Sequence, residues 1–405
     1  MLTRTADKSI TYSEPRVLPV LGGTPWMRLS PCISAHRRAL SDGCNVMLAS
    51  APLQGTPSGG RALLSRLIHD CVVGRFAHRH VVFELQPRRL EGFKALAGTF
   101  LGHIDGLDDA VIDSAVRTIR DKEVHKVLID GSNLGTLAAA IKSRCPGVEV
   151  STFFHNCEAR FFWGALSQYR TPRSLGVLFA NYLAERRAVR YSDKLICLSE
   201  RDSSLLRRLY GRGATHILPM AMRDQLPAGY LANDTWDGEP YALFVGGAFY
   251  ANQAGIAWFA KNVAPHVAIK TYVVGKGFES YKDQFERHGN IVVIGAVDTL
   301  VPWYHGARFV VAPIFDGSGM KTKVAEALMY GKKIIGTPEA FSGYECIADR
   351  AGWLCTTAAD FIAAISCAQS KIQQPFDAEL RAIYEKNYSY LAASARLARI
   401  LGSSE

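Results

Sequence analysis

The stretch Pro313-Ile-Phe-Asp-Gly-Ser-Gly-Met-Lys-Thr-Lys-Val-Ala-Glu-Ala-Leu-Met-Tyr-Gly-Lys-Lys-Ile-Ile-Gly-Thr337 decides the fold. The apolar run from Phe309 to Pro313 predicts a strand. A glycine-rich loop follows, then a helix opening near Met320, then a second strand from Lys332 to Gly336. A strand that feeds a small-residue loop into a helix N-terminus has the geometry of a phosphate site, because free backbone N–H groups and the positive end of the helix dipole meet there. Lys321 and Lys323 stand in the first turn, where acids are the usual occupants, so an anionic ligand would account for them. Glu326 lies about one turn on, among Val324, Ala325, Ala327, Leu328 and Met329, where a bare carboxylate is costly without a partner. A sugar hydroxyl attached to the phosphate would be such a partner. On the bland reading the glycines serve only the turn and the lysines point at water.

Working outward, strands and helices alternate in both halves, which predicts an α/β protein with parallel sheets covered on both faces. The expected strands of the first half are Arg16 to Leu21, Asn45 to Ala49, His80 to Leu85, Lys126 to Ile129, Glu149 to Phe154 and Lys194 to Leu198. Helices are expected at Leu107 to Lys122 and Leu134 to Ser143. Second-half strands are expected at Tyr241 to Val245, Lys270 to Val274, Ile291 to Ile294, Phe309 to Ala312 and Lys333 to Gly336. Pro, Gly, Asn and Asp cluster between Pro219 and Glu239, and the periodicity stops there, marking a domain boundary. At 405 residues the chain exceeds what one core usually supports, so two domains of roughly 200 residues are expected.

Hydrophobic and charged fractions of 48% and 21% are those of a globular protein. No run approaches the ~18 apolar residues of a spanning helix, and the N-terminus lacks the apolar core of a secretion signal. Nine cysteines are scattered without Cys-x-x-Cys or Cys/His spacing, so no metal site is expected and buried thiols in a reducing cytoplasm are. The net charge of +10 is concentrated in first-half arginines: Arg37-Arg38, Arg88-Arg89, Arg160, Arg170, Arg173, Arg186-Arg187, Arg190, Arg207-Arg208 and Arg212. Nucleic acid, an anionic membrane surface and plain solvation are the readings of such charge. No nucleic-acid-binding signature accompanies it. The aromatic and arginine mixture from Arg160 to Arg190 suits an interfacial surface at the inner face of a membrane, or a core helix with a solvated face.

The glycine loop, its lysines and Glu326 resemble the donor-binding motif of the group 1 (retaining, GT-B fold) nucleotide-sugar glycosyltransferases, above all the polysaccharide-assembly members with a Gly-Ser-Gly-x-Lys-x-Lys loop. The resemblance implies two Rossmann-like domains facing across a cleft. Residues 1–218 would be the acceptor side and 219–380 the nucleotide-sugar side, with 381–405, part of a long helical stretch from Asp377 to Leu401, returning to the first domain. In that family two glutamates with seven residues between them close the loop. Glu326 matches the second, which binds the donor ribose. The first, which contacts the sugar, falls on Ser318, with Asp316 as its stand-in. Gly317, Gly319, Met320 and Thr322 complete the loop.

Phe244-Val-Gly-Gly-Ala-Phe-Tyr-Ala-Asn252 resembles the opening strand and turn of the donor domain. Gly246 and Gly247 would let backbone approach the diphosphate, and Asn252 is also a natural helix N-cap. Gly275 and Lys276 would line the same crevice, and main-chain groups at Gly295, Ala296 and Val297 would face the base. In the first half His155, in Phe154-His155-Asn156-Cys157-Glu158, matches the family histidine facing the transferred sugar. Glu158 orients an acceptor hydroxyl or pairs with a local arginine such as Arg160. Gly22 and Gly23 resemble the acceptor-side loop, and Asp130 to Asn133 follow another strand at a ligand-competent edge.

The function implied is transfer of a hexose-type sugar, with retention and without a metal or cofactor, from a UDP-, GDP- or ADP-linked donor. The acceptor would be a saccharide or a polyprenyl-diphosphate-linked one. Lys321 and Lys323 would neutralise the leaving phosphates, and His155 would position the sugar. A nucleotide-sugar 2-epimerase and a non-catalytic carbohydrate-binding relative share the same fold.

Overall fold

A computed structural model of the chain describes residues 45–53, 59–85, 98, 102–227, 238–317, 319–374 and 376–402. Two six-stranded, wholly parallel sheets organise them. The first contains β1 (Asn45–Ser50), β2 (His80–Glu84), β3 (Val124–Asp130), β4 (Glu149–Phe154), β5 (Lys194–Cys197) and β6 (His216–Ile217), in the order β2-β1-β3-β4-β5-β6. The second contains β7 (Tyr241–Val245), β8 (Thr271–Val274), β9 (Ile291–Gly295), β10 (Ala307–Ala312), β11 (Ile334–Gly336) and β12 (Gly352–Leu354), in the order β12-β11-β10-β7-β8-β9.

Parallel strands are buried on both faces and so read as continuous apolar runs. In β1, Val46 and Leu48 enter one core while Met47 and Ala49 enter another on the opposite face. The helix Asp109–Asp121 turns Ile112, Ala115, Val116 and Ile119 inward at three- and four-residue spacing, and Asp108 caps it by accepting from the Val111 amide at 2.8 Å. Two short edge strands, β6 and β12, went unanticipated because two or three residues carry no periodicity. The expected strand at Arg16 to Leu21 lies outside the described residues, as does most of the expected boundary, residues 228–237.

The stretch Asp377 to Leu401 is not one helix but two, Ala378–Asn387 and Tyr390–Leu401. They break because the Met222 segment inserts there: its N–H donates to Tyr388 O and its carbonyl accepts from Tyr390 N. Ser389 then caps the second helix through the Ala392 amide. That helix lies on the helix Gly60–Phe76, with the Tyr390 hydroxyl donating to Asp70 O at 3.2 Å. Its last carbonyls accept from first-sheet lysines, Lys126 to Leu401 O at 2.6 Å and Lys194 to Ile400 O at 2.7 Å.

Candidate functional site

Open parallel sheets bind ligands beyond the carboxyl ends of their strands, where the strand order reverses. In the second sheet the reversal falls between β7 and β10; in the first it falls between β1 and β3. The turn after β7, containing Gly246, and the glycine loop after β10 therefore flank one crevice.

Lys323 lies at its centre. The side chain is buried, its Nζ donates to Asn252 Oδ1 at 2.9 Å, and it sits 4.2 Å from the centroid of the Phe244 ring. Asn252 Nδ2 in turn donates to Gly247 O at 2.7 Å, so one amide fixes both the lysine and the turn. A Cβ on Gly246 would lie 2.7 Å from Asn252 Nδ2 and 3.3 Å from Lys323 Nζ, which reserves that position for glycine. Burial pushes the Lys323 amine down to about 7; Glu326 pulls the other way and Lys321 adds to the depression. Asn252 is not the helix N-cap expected of it. Phe249 holds that position, and Asn252 sits inside the helix Tyr250–Asn262.

The helix after the loop opens at Thr322 rather than Met320, and no side chain caps it. Lys321, the residue before it, is already partnered: its Nζ donates to Glu339 Oε1 and to Gly319 O, both at 2.9 Å, and Arg201 takes Glu339 Oε2 at 2.8 Å. One of the two lysines whose position calls for an anion thus has one inside the protein. Met320 is buried, its sulfur accepting from the Met220 amide at 3.3 Å, so its side chain serves packing. Glu326 accepts from the Tyr304 hydroxyl at 3.0 Å, and Tyr304 is stacked on Tyr330 with centroids 4.4 Å apart. Burial raises the Glu326 carboxyl, with Tyr304 and Lys323 opposing.

On the far side of the crevice, Gly275 N donates to Gly295 O at 2.6 Å, and Lys276 is exposed beside them. The Ala296 amide is not free to face a base, because Glu279 accepts from it at 2.5 Å and from Gly277 N at 2.6 Å. Ser318, Gly22 and Gly23 lie outside the described residues. Asp316, the proposed stand-in for the missing glutamate, accepts from Arg160 at 3.0 Å and from Gly317 N at 2.8 Å. Arg160 therefore pairs with Asp316 and not with Glu158.

The end of the first sheet meets this loop. A Cβ on Gly319, whose φ is +65°, would lie 2.9 Å from His155 O, so only glycine allows the loop to pass. The two stretches singled out in the sequence are neighbours in space. The His155 ring is buried, with Nε2 2.8 Å from Asp130 Oδ1 on the adjacent strand, while its Nδ1 has no hydrogen-bond partner. Burial opposes ionisation of Asp130, but His155, Ser65 and Arg61 outweigh it and hold the carboxyl below its usual range. Glu158 is buried at the start of the helix Glu158–Tyr169. Burial pushes its carboxyl up to about 7, with Arg61 opposing and Glu185 and Asp105 reinforcing. Asn133 joins this group through Arg61 at 3.3 Å and through Asp105.

Sequence reasoning passed over Gly59-Gly60, which follow β1 and open the helix Gly60–Phe76; the pair it named was Gly22-Gly23. A Cβ on Gly60 would lie 3.2 Å from Thr322 Cγ2, at the start of the helix Thr322–Met329. The signal was present: an apolar strand, then Gln54-Gly-Thr-Pro-Ser-Gly-Gly60. Glu185, Arg201 and Glu339 gave none, since their partners are distant in sequence, and neither did the contact of Glu279 with the Ala296 amide.

Residues 239–370 match the family model described as glycosyl transferases group 1. Among solved structures, Anabaena HepE in complex with UDP and glucose is 13% identical, with a TM-score of 0.57, covering 89% of this chain and 100% of that one. The lipopolysaccharide outer core galactosyltransferase WaaB is 11% identical, with a TM-score of 0.58, covering 88% and 99%. A glycosyltransferase from Rickettsia africae is 12% identical, with a TM-score of 0.62, covering 89% and 100%. No curated protein sequence matches the chain.

Proposed function

From a chain whose residues 239–370 belong to the group 1 glycosyl transferases and whose fold is GT-B, we propose that it moves a hexose-type sugar, with retention, from a nucleoside diphosphate to a saccharide or lipid-linked saccharide. The observation that carries this reading is Lys323: a buried amine, oriented by Asn252, at the N-terminal turn of a helix and beside a glycine turn. Such a centre suits a diphosphate. Cleavage of the sugar–phosphate bond builds negative charge on the leaving group, and preorganised N–H groups with a charged lysine stabilise it where it develops. Binding of the phosphates would favour the charged amine and reverse the cost of its burial.

Glu326, with one oxygen held by Tyr304, would offer the other to the donor ribose. Across the crevice the sugar would meet His155, whose Nδ1 lacks a partner and whose ring is steadied by Asp130. The acceptor hydroxyl would then enter from the same face as the departing phosphate, which can take its proton. HepE, solved with UDP and glucose, makes UDP-glucose the first donor to try. The test is a panel of labelled UDP-, GDP- and ADP-sugars with release of nucleoside diphosphate measured. One donor should be hydrolysed slowly without acceptor. Interconversion of two sugars would indicate an epimerase, and no turnover of any donor would overturn the transferase reading.

A further inference from the structure

Three charged side chains against the glycine loop are tied to one another and to no phosphate. Lys321 Nζ donates to Glu339 Oε1 and to Gly319 O, both at 2.9 Å, and the Lys321 carbonyl accepts from the Tyr344 hydroxyl at 3.0 Å. Glu339 stands in the turn after β11, and its other oxygen lies 2.8 Å from Arg201 Nη1. Arg201 belongs to the first turn of the helix Glu200–Tyr210, which follows β5 of the first sheet. The side chains of Lys321 and Glu339 are 11% and 15% exposed, so this pair is largely shielded from water.

The ammonium touches the loop at two glycines. Besides its bond to Gly319 O, it would lie 3.4 Å from a Cβ on Gly317, whose φ is +144°, and Glu339 Oε1 would lie 3.9 Å from the same atom. A loop can offer its backbone N–H groups to an anion only while its carbonyls are satisfied elsewhere, and Lys321 satisfies one of them. Swinging Lys321 out to a phosphate would abandon Gly319 O and split a shielded ion pair, which is strongly unfavourable. Burial lowers the Lys321 amine, and Glu339 opposes that cost. Lys323 differs, since its Nζ lies beside the Gly246 turn and is held by a neutral amide.

We propose that Glu339 is a positioning residue of the donor site: through Lys321 it holds the glycine loop in its phosphate-binding shape, and Arg201 orients Glu339 from the first half of the chain. Lys321 then serves the loop and not the phosphate. The inference rests on the transferase reading and assigns these side chains within it. The two roles open to Lys321 give Glu339 opposite signs. If Lys321 met the diphosphate, Glu339 would compete for it, and neutralising Glu339 would tighten nucleotide binding. If Lys321 holds the loop, neutralising Glu339 loosens the loop and weakens binding.

The probes are UDP, GDP and ADP, titrated into the full chain by calorimetry, with Tm measured beside them. The diphosphate that the parent binds most tightly is then titrated into Glu339→Gln, Lys321→Ala and the double variant. Each single variant should bind it about tenfold more weakly, and the double variant no more weakly than either, because residues acting as one unit are not additive. Arg201→Gln, at a side chain 31% exposed and so the change best tolerated by the fold, should weaken binding about threefold. Parental or tighter binding in both Glu339→Gln and Arg201→Gln would overturn the proposal, as would additive losses in the double variant. A lowered Tm with parental affinity in the folded fraction would overturn it too, by making the cluster structural only. Parental binding of a diphosphate in those cases leaves the transferase reading standing, whereas a parent chain that binds none of the three removes that reading and this assignment with it.

Discussion

Lys323 and Lys321 look alike in the sequence and differ in the structure. The first is steadied by a neutral amide beside the crevice; the second is neutralised by Glu339. Lys323→Ala should therefore lower donor-dependent kcat/KM by ten- to a hundredfold, the ~1.5–3 kcal/mol of a charge-assisted contact. The pH profile follows from the sign of the shift. An amine lowered to about 7 is charged below that pH and neutral above it. Because kcat/KM reports the free enzyme, it should fall as pH rises past about 7, and Lys323→Arg, charged throughout, should flatten that limb. A parental profile in Lys323→Arg would remove the lysine from the phosphate site. Glu326→Gln keeps an acceptor for Tyr304 but has one good acceptor atom instead of two. Calorimetry should show nucleoside diphosphate bound about tenfold more weakly, with little change in Tm; unchanged affinity would make Glu326 a structural acid.

At the scale of elements, Glu185 sets the helix Glu158–Tyr169 in place. It is fully buried and accepts from the Glu158 and Ala159 amides at 3.0 and 3.2 Å, from Tyr210 at 2.7 Å and from Ser132 at 3.1 Å. It thus does from a neighbouring helix what an N-cap side chain does locally, and Cys157, the residue in the cap position, makes no side-chain cap bond of its own. Glu185→Leu would strand these buried donors, each costing about 1–3 kcal/mol. The expected outcome is a loss of at least ~3 kcal/mol in denaturant unfolding, with donor binding retained in whatever remains folded. A shift below 1 kcal/mol would mean the helix is held by packing alone.

Across the whole molecule, the last helix, Tyr390–Leu401, carries chain from the second sheet back onto the first. Ala393, Leu397, Ile400 and Leu401 are buried, and its final carbonyls satisfy Lys126 and Lys194. Full burial of a large aliphatic side chain is worth roughly 1.5–3 kcal/mol, so ending the chain after Asn387 should remove several kcal/mol. That is a large part of the stability of an ordinary domain. A fall of many degrees in Tm, or an insoluble product, is expected; an unchanged Tm would show that the helix merely rests on the surface. The pairs Arg160–Asp316 and Arg201–Glu339 also link first-half helices to second-half loops, but their arginines are about one-third exposed, so salt should weaken them.

What the sequence determined by itself was whatever short-range chemistry encodes. Glu149–Phe154 and Tyr241–Val245 were read to the residue: the second is an unbroken apolar run ended by Gly246-Gly247, and the first, rich in β-branched and aromatic residues, lies between Gly147 and Asn156. The glycine loop was legible for a similar reason: lysines in a first helical turn conflict with the helix dipole within a few residues. Tertiary structure decided everything that depends on a distant partner. Only the fold brings Glu339 to Lys321, Glu279 to the Ala296 amide, Arg160 to Asp316 and Met222 to the break at Ser389. A carboxylate or an amide neutralised across many residues leaves no periodicity in the chain. Which of the two lysines is paired with a carboxylate is therefore decided by packing and not by spacing.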